Sequence, residues 1–480
     1  MDASRRGETG RPKRKKASRE TLFFYCIIVF IGVGWCIEVA LFNDVENPNI
    51  RQGVVQLQVP QRPVQYDPPK IRQGPKSPAK EIRLPEHLLP RIPILPLFNS
   101  IQDPADHISN LLNGRPSMAG VVALLQKFIS DLHGNNMKAS KAKAGGQAVL
   151  DTFYRLTEKH IKPFDDAYHG KHIFPLREDG SIFISLAAFR EFYLLETLVS
   201  AFKYAKNPEK VFVGAVVQNC FGSFKEDEDG LEAFDPSGKP CFTGKDIAIP
   251  PEKNGIEAFC AMPDYHQFCE NGQIRVLYMH HTDGQGPSMA RYLSSKLWGG
   301  ENYFMQIDSH LRFADDWDAK YIKDLKLTLN YPKSVFSSYP PGFEQVRFIP
   351  RHMGIDKSKV NNETVIESPG CRLCHCSVPG SGDNRMMIIQ QSRAYIGNVT
   401  RPLQQPFLGA GLVFAHGNFL KDVPYDPYLP WTFMGEEIVL SMRAWTHGWN
   451  MYAPRKNLII HQYRPAKLGL PRFFSSIKGM

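Results

Sequence analysis

Ser181-Ile182-Phe183-Ile184-Ser185 and, further on, Val211-Phe212-Val213-Gly214-Ala215-Val216-Val217 decide the fold. Both are short, nearly continuous apolar runs, the pattern of strands buried on both faces. A helical stretch, Phe189 to Ala205, lies between them and closes with a turn at Asn207-Pro208. Strand, helix and strand within about forty residues form a βαβ unit and require a parallel sheet. Arg275-Val276-Leu277-Tyr278-Met279 is a third strand candidate. A helix over Ser288–Leu297 leads to a fourth, Tyr303-Phe304-Met305-Gln306-Ile307. This alternation predicts an open α/β fold with ligands at the carboxyl ends of the strands. No GxGxxG or Walker loop follows any of these strands, which argues against a dinucleotide dehydrogenase or an NTPase.

The chain on either side is organised differently. It has 480 residues and a formal net charge of +10. Residues 1–20 carry eight Lys or Arg against Asp2, Glu8 and Glu20, so half of the excess sits in this tail and the rest is only mildly basic. Nucleic acid is therefore not an expected partner. Seventeen uncharged residues follow, Thr21 to Ile37, before Glu38 and Val39–Phe42. At roughly 25 Å this run spans a thin bilayer. Positive charge before it predicts a single-pass type II signal-anchor over 21–42, with a cytoplasmic tail and the rest of the chain in the lumen. A cleaved signal peptide is the rival reading, but no A-x-A-like site follows the run. Residues 43–100 hold eleven prolines and no amphipathic period, and read as a stem. Residues 101–175 read as a helical accessory region: Ile108, Leu111 and Leu112, then Val121–Leu125, Phe128, Ile129 and Leu132, recur at three-four spacing.

Cysteine usage fits a lumenal setting. Besides Cys26 and Cys36 in the anchor, seven remain: Cys220, Cys241, Cys260, Cys269, Cys371, Cys374 and Cys376. The run Cys371-Arg372-Leu373-Cys374-His375-Cys376 has zinc-binding residue types. In an oxidising lumen disulfides are the expectation, with some partners drawn from Cys220, Cys241, Cys260 or Cys269. The sequons at Asn362 and Asn398 are compatible with N-glycosylation.

The chemistry centres on the end of the fourth strand, Ile307-Asp308-Ser309-His310. A carboxylate and an imidazole two residues apart project to the same side. Such a pair suits a borderline divalent cation, Mn²⁺ above all. Asp-x-His after a strand is also what a helix cap beside a surface histidine looks like. The literal Asp316-Trp317-Asp318 downstream lacks an apolar strand before it and reads as a loop, with Asp315 or Asp316 as a helix N-cap. Further on, Gly435-Glu436-Glu437 opens a helix that runs through Trp445, a residue that reads as core, and Ile459-Ile460-His461-Gln462-Tyr463-Arg464 lies near the end.

Three stretches together carry a resemblance: ARYLSSKLWGGENYFMQIDSHLRFADDWD (290–318), FLGAGLVFAHGNFLKDVPYDPYLPWTFMGEEIVLSMRAWTHGWNMYAP (407–454) and HQYRP (461–465). They resemble the glycosyltransferase family 60 polypeptide α-N-acetylglucosaminyltransferases. That family includes protozoan enzymes starting mucin-type O-glycans and a Skp1-type enzyme modifying hydroxyproline. The chain is more distantly similar to polypeptide GalNAc-transferases. The resemblance covers about 180–465 and implies a GT-A nucleotide-diphospho-sugar transferase domain there, with 466–480 as a tail. It implies retaining transfer of N-acetylglucosamine from UDP-GlcNAc to Ser/Thr hydroxyls of a protein acceptor, in the Golgi or ER. A Skp1-type hydroxyproline transferase, or a catalytically inactive glycan-binding relative, are the alternatives. It further implies that Asp308 and His310 hold the metal, with His461 as third ligand. Arg291 would face the donor, and Ser185, Phe189 and Arg190 would lie near its base and ribose. Of Glu436 and Glu437, one would meet donor-sugar hydroxyls or orient the acceptor, and the other would complement the helix N-terminus, which favours acids.

Overall fold

The computed structural model of the protein describes residues 104–191, 193–219, 254–343, 367–377, 389–396, 399–433 and 435–463, with four short strand segments (223–226, 232–235, 242–244 and 247–249). The basic tail, the 21–42 anchor, the 43–100 stem, both sequon asparagines, Cys220, Cys241 and the 466–480 tail lie outside them. Among the described residues no helix is long and apolar enough to cross a membrane.

The centre is an eight-stranded sheet. Its strands, in chain order, are β1 (Ile182–Phe189), β2 (Val211–Gln218), β3 (Ile274–Tyr278), β4 (Tyr303–Asp308), β6 (Ser334–Ser337), β7 (Leu403–Gln404), β8 (Leu412–His416) and β9 (Asn450–Ala453). Two further strands, β5 (Leu311–Phe313) and β10 (Ile459–His461), pair with each other beside it. The order in the main sheet is β7-β9-β6-β8-β4-β1-β2-β3. β1 runs parallel to both β2 and β4, β2 to β3, and β6 to β9. Only β8 and the short edge strand β7 run against the rest. The sheet is therefore mostly parallel, as the βαβ unit predicts.

Alternate residues of each strand meet different layers. Ile182, Ile184, Leu186 and Ala188 of β1, with Val213 and Ala215 of β2 and Met305 and Ile307 of β4, face a layer built from α5 (Leu194–Lys203), α6 (Gly255–Ala261) and α9 (Trp317–Leu325). Trp317, Tyr321, Phe202 and Phe259 fill that side, and each such side chain contributes roughly 1.5–3 kcal/mol by leaving water. The opposite face carries α8 (Pro287–Ser295). Here β2 needs a glycine: a Cβ on Gly214 would stand 2.4 Å from Phe183 Cζ and 2.9 Å from Leu297 Cβ.

The helical region comprises α1 (Pro104–Leu112), α2 (Met118–Lys141), α3 (Gly146–Leu156), a π turn over Thr157–Ile161 and α4 (Lys162–Ala167). Its three-four apolar positions, among them Leu111, Val121, Phe128 and Leu132, are buried. It is fastened to the sheet domain by polar contacts. Asp283 accepts from Asn136 Nδ2 at 2.9 Å and lies 2.6 Å from His133 Nδ1. Asp165 accepts from Tyr292 at 3.0 Å and Lys296 at 2.7 Å, and Glu158 from Tyr428 at 2.7 Å.

Four sequence expectations change. Phe189 is the last residue of β1 and not a helix start: Arg190 adopts φ 49°, which a right-handed helix excludes, and α5 begins at Leu194. Trp445 lies on α11 (Glu436–Thr446), yet it is 42% exposed and shares an outward face with Val439 and Met442. Cys260 and Cys269 are bonded to each other and are not partners for the 371–376 run. In that run Cys374 is an exposed free thiol.

Candidate active site

Asp308 ends β4 at the level of Ala187 on β1, so its carboxylate emerges at the carboxyl edge of the sheet. The chain turns at Ser309-His310 and enters β5. Antiparallel pairing of β5 with β10 sets His461 opposite Leu311. The backbone of His461 is then held from two sides: its N–H donates to Pro341 O at 2.9 Å, and the next amide, Gln462 N–H, donates to His310 O at 3.0 Å. This register brings three potential ligands together, and one donor atom each from Asp308, His310 and His461 lies within 4.8 Å of the others. His461 Nε2 is 3.0 Å from Asp308 Oδ2, and the His310 and His461 rings are 4.6 Å apart, edge to face.

One oxygen and two imidazole nitrogens are a donor set for a borderline divalent ion such as Mn²⁺ or Zn²⁺. The electrostatics fit. Burial would push the Asp308 carboxyl up, but the hydrogen bond and charge of His461, with the charges of Arg291 and His310, hold it well below the usual carboxylate range. Burial lowers His310, against the pull of Asp308, and so favours the neutral imidazole that binds metal. His461 Nδ1 is buried without a hydrogen-bond partner, consistent with a proton on Nε2 shared with Asp308. A cation would replace that proton.

Arg291 joins this cluster to an adjoining pocket. It projects from α8 with its side chain only 9% exposed, donating from Nη2 to Asp308 Oδ1 at 3.1 Å and from Nη1 to Glu436. Burial would lower the guanidinium, but the Glu436 and Asp308 carboxylates raise it, so it is a fixed cation. Glu436 and Glu437 form the first turn of α11, where the helix dipole favours acids, behind Gly435 at φ 93°. Ser288 Oγ lies 3.3 Å from Glu436 Oε2. Glu437 is fully engaged: Ala410 N–H donates to it at 2.7 Å and Tyr339 O–H at 2.7 Å. The pocket is lined by Arg291, Gln306, Ala410, Tyr425, Glu436 and Glu437, among others.

Not every residue named from the sequence lies here. Ser185 is buried between sheet and α8, its hydroxyl 2.7 Å from Ser294 Oγ, and it does not line the site. Phe189 and Arg190 stand at the carboxyl end of β1, beyond the level of Asp308. Asp316 precedes α9 at φ 56° and makes no side-chain cap. Asp318 accepts from Lys206 N at 2.7 Å and Asn207 N at 3.0 Å, a buried loop brace far in role from a metal ligand. Sequence reasoning missed Gln306, whose Nε2 donates to Ala410 O at 2.9 Å and whose Oε1 accepts from Tyr425 O–H. Its signal was its place two residues before Asp308, on the same strand face. It also missed Glu191, whose Oε2 is 2.8 Å from His310 Nδ1.

A charged, half-buried cluster stands at the edge of a mostly parallel sheet, joined through a buried arginine to a pocket lined by both charged and apolar side chains. Residues 181–478 match the family described as "Glycosyltransferase (GlcNAc)". The chain thus belongs to the Glycosyltransferase (GlcNAc) family, whose model covers more than half of it. No curated protein matches it. Among solved structures it is similar to "Crystal structure of GalNAc-T7 with UDP, GalNAc and Mn2+", at 14% identity and a TM-score of 0.38 over 60% of this chain. The match spans 44% of that structure's chain.

Proposed function

We propose that this protein is a metal-dependent retaining glycosyltransferase that moves N-acetylglucosamine from UDP-GlcNAc to Ser or Thr hydroxyls of a protein acceptor. In this reading the 21–42 segment anchors it in a Golgi or ER membrane with residues 180–465 in the lumen. The observation that carries the proposal is the convergence of Asp308, His310 and His461 on one point, with Arg291 tying that point to Glu436 in the pocket.

Asp308, His310 and His461 would hold Mn²⁺, which when bound offsets the negative charge that builds on a diphosphate leaving group. The chain's own residues do the rest. Arg291, a buried cation with little freedom, offers N–H donors to donor oxygens at no reorganisation cost. Glu437, braced by Ala410 and Tyr339, fixes the first turn of α11, so that Glu436 is presented to sugar or acceptor hydroxyls at a set place. Phe189 and Arg190, at the carboxyl end of the first strand, would meet the nucleoside. In a front-face reaction the acceptor oxygen bonds to the anomeric carbon as the bond to the phosphate oxygen breaks. The departing phosphate oxygen takes the acceptor's proton, so no protein base is needed. Catalysis then rests on positioning and charge.

The test is to incubate the detergent-solubilised protein with a panel of UDP-sugars and Thr-rich peptides, in Mn²⁺ or in chelator. Transfer of GlcNAc in Mn²⁺, with an α-linkage by NMR of the product, is expected. Equal signals with and without metal, or another sugar preferred, would reject the corresponding part of the proposal.

A further inference from the structure

We propose that Glu191 is a positioning residue that holds the His310 ring through Nδ1 and so decides which ring nitrogen is turned to a cation. The proposal rests on the metal reading above and adds a part to it that neither the motif nor the cluster contains.

The geometry is built from the end of β1. Arg190 takes the left-handed φ of 49°, uncommon for a residue with a side chain, and its N–H donates to Gln218 O at 3.0 Å. Glu191 N–H donates to Asn219 Oδ1 at 3.1 Å. The turn is thereby pinned to the end of β2, and the Glu191 side chain passes beneath the Asp308–His310 turn. Its carboxylate, 1% exposed, is closely engaged there. Oε1 accepts from Tyr193 N–H at 2.9 Å, while Oε2 lies 3.1 Å from Ser309 Oγ and 2.8 Å from His310 Nδ1. Both residues that follow Asp308 are therefore bonded to one oxygen of Glu191.

The consequence is a tautomer. Glu191 Oε1 already accepts from Tyr193 N–H and Oε2 from Ser309 O–H, so both carboxyl oxygens act as acceptors and the hydrogen between Oε2 and His310 belongs to Nδ1. A neutral imidazole has a single N–H, which leaves the lone pair on Nε2. Without this partner the proton distributes between the two nitrogens, and the ring can turn about its Cβ–Cγ bond. Carboxylates that hold a ligating histidine in this way sharpen metal affinity, and losing one typically costs 10–100-fold. A plain structural role, bracing the β1–α5 turn, would predict lost stability with no selective loss of metal binding.

The experiment compares the wild-type protein with Glu191→Ala and the isosteric Glu191→Gln. Mn²⁺ affinity is read by electron paramagnetic resonance of free Mn²⁺, the His310 ring form by ¹⁵N NMR of labelled histidine, and integrity by melting temperature. His310 is expected as the Nδ1–H form in the wild type. Glu191→Ala should weaken Mn²⁺ binding by about 10–100-fold and shift the ring toward Nε2–H. Glu191→Gln, which keeps an acceptor oxygen, should retain part of the affinity, and it carries the same test if the alanine variant does not fold. Unchanged Mn²⁺ affinity in either folded variant, or an Nε2–H ring in the wild type, would overturn the proposal alone. A wild-type protein that binds no Mn²⁺ would overturn it together with the metal reading.

Discussion

His461 Nε2 lies 3.0 Å from Asp308 Oδ2, although 153 residues separate them in the chain. Neither residue reaches the other by local structure. Asp308 is delivered by a strand of the central sheet, and His461 by a three-residue strand whose pairing with Leu311–Phe313 sets the register. A slip of one residue in that small ladder would turn the imidazole to the other face. The site is therefore as sensitive to the β5–β10 pairing as to its ligands.

Asp308→Ala removes the proposed oxygen ligand and one of the two carboxylates that face Arg291. Sugar transfer should fall by at least about 100-fold, the scale of losing a key electrostatic group. Asp308 stands half-buried at the sheet edge and not in the apolar core, so the variant should still fold. Transfer assays paired with circular dichroism check both halves. A folded variant that keeps its activity would place the cation elsewhere.

Asp318→Ala separates the two acidic motifs. Asp318 is buried and accepts from the backbone amides of Lys206 and Asn207 and from Asn207 Nδ2, so its loss leaves three donors unpaired. We expect a stability loss of about 1–3 kcal/mol, by denaturant titration, with Mn²⁺ affinity unchanged. Weakened metal binding without destabilisation would reverse the assignment of the two motifs.

The parts of this fold that could be read from the chain are those governed by local pattern. Buried apolar runs marked β1, β2, β3 and β4, and two acids after a glycine marked the start of α11. The reversal at Arg190 was not legible: the alanines at 187 and 188 are good helix formers, and only pairing with β2 and β4 holds them extended. The antiparallel strand Leu412–His416 escaped notice for a related reason, since a five-residue buried run carries no direction. Trp445 misled because helical spacing tells which residues share a face and not whether anything covers it. For the site, Asp308 and His310 are legible as neighbours and His461 only through the family resemblance, whereas the register that brings His461 to Asp308, and the place of Glu191, depend on tertiary pairing.

Burial raises the Glu437 carboxyl above its ordinary value of 4.5, against the pull of its bonds from Ala410 and Tyr339. The folded state then holds a proton at pH values where the unfolded chain has lost it. Between the unfolded value and the raised folded one, stability falls as pH rises, and the whole deficit is present above that window. Glu437→Gln removes the ionisation. Its melting temperature should gain on the wild type as pH rises from 4 to 7, with the gap closing toward pH 4. A gap that instead grew toward acid would mean a lowered carboxyl.

Gly411 tests the space over the proposed metal site. A Cβ there would meet Pro340 Cδ at 3.4 Å and Asp308 Oδ2 at 4.0 Å, both ordinary contacts, so Gly411→Ala should fold and melt like the wild type. A valine adds two methyl groups beyond that Cβ, beside the Asp308 oxygen where a cation and its diphosphate would sit. Gly411→Val should weaken Mn²⁺-dependent UDP binding by about tenfold or more, equivalent to ~1.4 kcal/mol, while metal-free stability changes little. Calorimetric titration of UDP in Mn²⁺ and in chelator distinguishes the outcomes. Equal UDP affinity in Gly411→Val and wild type would mean that the nucleotide approaches Asp308 from another side, and that the pocket beyond Arg291 is reached by a different route.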